Sequence, residues 1–154
     1  MNAEIEEADM NLLPALISAM IAVESGGDFR AVGDGGRALG ILQIHKEVIA
    51  DVNRIYKTSF RHKDSLNPVL AREICELYLR HYAAPVFAQG ATPGKLCALS
   101  ELQNAEICAR IWNGGPAGWK KEATRGYWEK VRREMSAVRD QKSVSAGTKS
   151  EENQ

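Results

Sequence analysis

Apolar residues in this chain recur every three or four positions in five separate runs, and each run is closed by glycine, proline or a polar stretch. A period near 3.6 belongs to amphipathic helices and fits no strand, whose period is two. The first run begins at Asn11 and proceeds through Leu13, Ile17, Met20 and Ile21. Asn11 can cap it, Pro14 is tolerable in a first turn, and Gly26-Gly27 stops it. A second helix is expected over Gly40–Tyr56, through Ile41, Ile44, Val48, Val52 and Ile55. Residues 57–66 form a polar connection. In the third run Asn67 caps, Pro68 takes the first helical position, and Leu70, Ile74, Leu77 and Tyr78 share one face. Residues 83–95 carry two prolines and two glycines and predict a loop. Ser100 with Gln103 forms a capping box for a helix to about Trp112, stopped by Gly114-Gly115-Pro116. Thr124 caps a last helix through Tyr127, Trp128, Val131 and Met135. The expected fold class is α+β, mostly helical, with about five helices and at most a small β-hairpin at the glycine-rich residues 27–38.

The chain has 154 residues, of which 44% are hydrophobic and 26% charged, enough for one domain with a core of its own. That domain is expected over residues 11–136, preceded by a loose acidic segment and followed by a disordered tail, 137–154, without apolar period. Net charge is zero, so no global field favours nucleic acid. The charge is unevenly spread: residues 1–36 hold seven acids and one arginine, while residues 110–142 hold nine bases and four acids. The basic end reads either as a solvated helix or as a face for an anionic polymer. Cys75, Cys97 and Cys108 are too few for a closed disulfide framework, and their spacing suggests no zinc site. His45, His62 and His81 are scattered, so no metal and no cofactor is expected. The apolar stretch 12–23 is too short to span a bilayer, and no basic run followed by an apolar core stands near the start. The expectation is a monomer without a membrane partner, cytosolic before release or exported by a route the sequence does not display.

One residue breaks the helical pattern. Positions 13, 17, 20 and 24 fall on one stripe, and the last of them is Glu24 where leucine or isoleucine would continue it. A carboxylate there faces both an apolar surface and the negative end of the helix macrodipole. Both disfavour its charged form and raise its pKa, the condition a general acid needs near neutral pH. The competing reading turns Glu24 outward, or pairs it with Arg30 or Arg37. Asp34 lies ten residues on, in the glycine-rich loop. Folded back over the helix end, that loop would put two carboxylates at one cleft, an arrangement glycosidases use. Asp-Gly is also ordinary turn chemistry, and Asp28 is the weaker alternative second carboxylate. Trp112, Trp119, Tyr127 and Trp128 fall within 17 residues; Trp112 is expected to line a groove and Trp128 to fill the core.

"ESGGDFRAVGDGGRALGILQI" followed about 70 residues later by "ARIWNGGPAGW" resembles the paired signatures of the lysozyme-like superfamily, in particular soluble lytic transglycosylases and goose-type lysozymes. "YWEKV" at 127–131 is similar to the last helix of phage lysozyme-like proteins, and the resemblance spans roughly residues 14–135. It implies a lysozyme-like fold. It also implies cleavage of the β-1,4 bond between N-acetylmuramic acid and N-acetylglucosamine in peptidoglycan glycan strands. By motif, Glu24 matches the catalytic acid, and Ser25 the serine that shapes the site. Gln43 matches the glutamine near the sugar cleft, and Trp112 and Asn113 the segment lining the groove. Trp112 replaces the usual tyrosine, and the loop with Asp34 is closer to lysozymes than to transglycosylases. Hydrolysis assisted by Asp34 and transglycosylation by the sugar's own 6-hydroxyl therefore both stand. A phage endolysin or a wall-remodelling enzyme fits. A chitosan- or chitin-cleaving glycosidase, a non-catalytic glycan-binding module and a helical interaction protein are the competing functions.

Overall fold

The computed structural model describes residues 3–87 and 101–147, with side chains from residue 13 to 138 within those segments. The elements run α1 (Ala3–Ser25), β1 (Val32–Gly33), β2 (Ala38–Leu39), α2 (Lys46–Tyr56), α3 (Pro68–Tyr82), α4 (Ala84–Phe87), α5 (Glu101–Gly114) and α6 (Arg125–Gly147), with short 3-10 turns between them. The mostly helical α+β class is therefore the observed one.

Helix α1 is the central post. Leu16 and Met20 are fully buried, and Leu13, Ile17, Ala19 and Ile21 nearly so. It packs against α6 and α5, and α3 closes the same core with Ile74, Cys75 and Leu79. From α5 come Ala105, Cys108, Ala109 and Ile111, and from α6 Trp128 and Val131. Burying a side chain such as Leu16 or Ile74 contributes roughly 1.5–3 kcal/mol, so this cluster dominates the stability. Cys75 and Cys108 are free thiols inside it; burial pushes the Cys108 thiol up to about 12, which keeps it an unreactive thiol. Cys97 and the cap expected at Ser100 lie outside the described residues.

Several boundaries differ from those the periodicity predicts. α1 starts at Ala3, so position 11 falls inside the helix and not at its start, and Pro14 is a mid-helix proline. α2 starts at Lys46, not Gly40. Gly40 and Gln43 have φ of +76° and +50°, and Leu39 and Ile44 exchange backbone hydrogen bonds of 3.1 and 2.9 Å. Ile41, Leu42 and Ile44 still reach the core, but from a turn. Gly40 is required there, because a Cβ would overlap the Ser65 carbonyl oxygen. The expected hairpin exists with two residues per strand, Val32 opposite Leu39 and Gly33 opposite Ala38. α3 begins as read: the Asn67 carboxamide oxygen accepts from the N–H groups of Val69 and Leu70 at 2.9 and 3.2 Å. The segment expected as a loop after residue 82 opens with the four-residue α4. α6 continues to Gly147, so helix replaces the tail expected from Ala137 up to that point. Residues 137–146 contain neither glycine nor proline to stop it.

Candidate active site

Glu24 is the penultimate residue of α1, on the stripe that carries Leu13, Ile17 and Met20 into the core. Its side chain is half-buried, and burial pushes its pKa from 4.5 up to about 6. The Tyr127 hydroxyl and the Trp112 indole N–H lie beside the carboxylate and partly offset that rise. Tyr127 Oη is itself buried without a partner in close hydrogen-bond geometry, so its effect on Glu24 acts across a looser approach. Burial, and after it the Glu24 charge, drives the phenol pKa far above its ordinary value, and Tyr127 stays protonated. The arginines considered for Glu24 are elsewhere: Arg37 Nη2 meets Asp34 at 2.7 Å, and the Arg30 guanidinium lies 5.1 Å from the Phe29 ring centre. Among the described residues Glu24 has no ion pair.

The chain leaves α1 through Gly26 and Gly27, both at positive φ. Ser25 pins the exit: its hydroxyl donates to the Ile41 carbonyl at 2.9 Å and accepts the Gly27 N–H at 3.1 Å. Ser25 thus ties the end of α1 to the following turn and is not itself a cleft wall. Gln43 lines the cleft, yet its amide N–H groups are spent on the carbonyls of Gly40 (2.9 Å) and Ala31 (3.2 Å). Its conformation is one a non-glycine residue seldom adopts, and Asp34, at φ +50°, is another. Strain of about 1 kcal/mol at each is tolerated where the surroundings fix it, and sites of function are where it gathers.

The cleft that results holds about 620 Å³. Glu24, Gln43 and Tyr78 belong to its lining, as do Glu47, Val48 and Asp51 of α2. Trp112, Asn113, Gly115 and Pro116 at the end of α5 also line it. Asp34 joins them, so the fold brings Glu24 and Asp34 to one cavity. The Asp34 carboxylate is held by Arg37 and, at 3.5 Å, by His45 Nε2. Asp28 is not part of the cavity; its carboxylate accepts the Arg30 N–H at 2.9 Å as a turn residue.

The wall after α5 is built on a buried arginine. Arg110 is 7% exposed. Its Nη1 meets Glu106 Oε1 at 2.7 Å, its Nε donates to Thr124 Oγ1 at 2.9 Å, and its Nη2 donates to the Lys121 carbonyl at 2.8 Å. Thr124, expected to cap α6, instead donates to the Gly118 and Lys121 carbonyls and accepts from Arg110. Gly118 backs directly onto the Arg110 carbonyl, leaving no room for a side chain. This braces the loop that presents Gly115 and Pro116. Trp112 stands edge-on to Tyr78 with ring centres 5.7 Å apart, while Trp128 is buried.

Tyr78, His45, Glu47 and Asp51 belong to this region, and spacing does not single them out as site residues; Tyr127 stands in the sequence only as a member of the aromatic cluster. Tyr78 sits on the apolar stripe of α3, and nothing in sequence separates a core tyrosine from one that also touches a cleft. Glu47 and Asp51 are one turn apart on α2, a spacing that marks a shared face without telling what it faces. Among the described residues no three His, Cys, Asp or Glu side chains gather as a ligand set for a metal.

A helical domain with a half-buried carboxyl at the end of its central helix, opening on a cleft beside a small hairpin, defines the lysozyme-like fold. The family model of the transglycosylase SLT domain matches residues 1–91, and the chain belongs to that family of peptidoglycan-cleaving lytic transglycosylases. Among solved structures, a chain from the crystal structure of Aeromonas hydrophila PliI in complex with Meretrix lusoria lysozyme is similar. The TM-score is 0.55 at 24% identity, covering 77% of this chain and 87% of that one, a likeness of fold. No curated protein sequence matches.

Proposed function

We propose that this protein cleaves the β-1,4 bond between N-acetylmuramic acid and N-acetylglucosamine in peptidoglycan, with Glu24 as the general acid. The observation that carries the reading is a carboxyl with its pKa pushed up to about 6 at a cavity of about 620 Å³ beside Trp112. Near neutrality such a group still holds a proton part of the time, and its conjugate base is strong enough to take one back. Glu24 donates its proton to the glycosidic oxygen as the bond from C1 of the muramic acid breaks. The 6-hydroxyl of the same sugar then attacks C1 and returns its proton to Glu24, leaving a 1,6-anhydro end. Trp112 offers a ring face to a sugar, and Asn113 an amide to its polar groups. No second carboxylate is needed on this route.

Asp34 favours a second reading. It lies at the same cavity as Glu24, with Arg37 Nη2 at 2.7 Å and His45 Nε2 at 3.5 Å from its carboxylate oxygens. A water donating a hydrogen bond to Asp34 would attack C1 in place of the 6-hydroxyl, pass its proton to Asp34 and leave a reducing end. Mass spectrometry of fragments released from purified peptidoglycan separates the routes, because anhydro products are lighter by one water. Glu24→Gln is expected to abolish release of either product; full activity in that variant removes the assignment. Asp34→Asn is expected to eliminate reducing-end products and leave anhydro products.

A further inference from the structure

The cleft lining is rich in carboxylates: Asp34 is ion-paired with Arg37 and Asp51 with Arg54, while Glu24 and Glu47 have no ion pair among the described residues. Glu24, Asp34, Glu47 and Asp51 all line the cleft, and among the described residues His45 is its one basic side chain. Among the described residues no lysine or arginine is part of the lining. Asp51 is more than a surface acid. Its Oδ2 accepts the Tyr82 hydroxyl at 2.8 Å from across the α2–α3 interface, and its Oδ1 accepts Arg54 Nη2 at 3.0 Å. Arg54 approaches from the solvent side and is 63% exposed, so water screens its charge, while Asp51 is 33% exposed. Tyr82 also packs against Tyr78 with the rings tilted by 53° and their centres 4.7 Å apart, and Tyr78, like Asp51, is part of the cleft lining. The lining therefore combines the Tyr78 ring, the Asp51 carboxylate fixed by a neighbouring helix, and the Glu47 carboxylate one turn away on α2. An aromatic ring and fixed carboxylates together suit an ammonium group.

We propose that Asp51 and Glu47 are specificity-determining residues that select glycan strands bearing a primary ammonium over neutral or anionic ones. This inference rests on the cleft being the glycan-binding site. The ammonium has two sources on a cell-wall strand: a glucosamine that has lost its acetyl group, or the side-chain amine of a diamino acid in the peptide stem. A strand stripped of its stems instead exposes lactyl carboxylates, which this cleft repels.

The test reads binding rather than turnover, so it stands apart from the cleavage assay above. The full-length Glu24→Gln protein is titrated calorimetrically, in about 20 mM salt, with a glucosamine hexamer and with its fully N-acetylated counterpart. A second pair of probes is a disaccharide-tetrapeptide with its diamino-acid amine free or acetylated. The expected result is about fivefold tighter binding of the amine-bearing member in at least one pair. That preference is expected to shrink toward unity with Glu47→Gln, with Asp51→Asn, or in high salt. Preference in the first pair assigns the source to the sugar, and in the second to the stem. Equal affinities within both pairs overturn the proposal, as does a preference that survives both substitutions. Glu47 is exposed, so its substitution leaves the fold intact and keeps the test decisive.

Discussion

Replacing Glu24 with glutamine is expected to stabilise the protein at neutral pH while removing its proposed chemistry. The folded pKa of about 6 stands against 4.5 for the free side chain, a difference of about 1.5 units. Each unit corresponds to about 1.4 kcal/mol, so ionising Glu24 costs the folded state about 2 kcal/mol. The sign follows from proton counting. Between pH 4.5 and 6 the folded chain keeps a proton the unfolded chain has released, so raising pH through this window erodes stability. Below it both forms are neutral there, and above it the loss is complete. Glutamine has nearly the shape of the protonated acid and does not titrate. The variant and the parent should therefore unfold at similar temperatures at pH 4. At pH 7.5 the variant should be ahead by up to about 2 kcal/mol, or about 4–8 °C in a chain of this size. Thermal unfolding followed by circular dichroism across that range measures the gap, and taking the difference between the two proteins cancels every other titrating group. A gap that stays constant with pH would refute the claim that burial holds Glu24 partly protonated.

Tyr127→Phe removes a hydroxyl that draws the Glu24 pKa down, so the descending limb of the pH–rate profile should move to higher pH; a limb in the same place would deny the two groups their contact. Gly40→Ala puts a Cβ into the Ser65 carbonyl at a residue with φ of +76°, and should cost at least about 1–2 kcal/mol in denaturant unfolding. A variant as stable as the parent would mean that the turn can be rebuilt.

The helical class and the odd glutamate were legible because both are local. Helical period is written in nearest neighbours along the chain, and Glu24 stands out as the one acid on the stripe with Leu13, Ile17 and Met20. The cap at Asn67 was readable for the same reason, since its partners are two and three residues away. Element boundaries were less so. The apolar period continues from Ile41 into Val52 without a break, yet Gly40 and Gln43 adopt left-handed backbone and delay α2 to Lys46. That turn is held by Ser25 reaching the Ile41 carbonyl and by Ser65 lying against Gly40, contacts spanning 16 and 25 positions. Thr124 had a good capping context and went instead to Arg110, 14 residues back.

Pattern alone thus determined that this chain builds helices around one core and carries a carboxyl where that core expects a side chain without charge. Tertiary structure decided what the carboxyl faces. Tyr127 and Trp112 arrive at Glu24 from helices about 90–100 residues further along the chain, and Asp51 is set in the cleft by Tyr82 of a neighbouring helix. Desolvation, which raises the Glu24 pKa, is the summed exclusion of water by those distant segments, and no window along the sequence contains it.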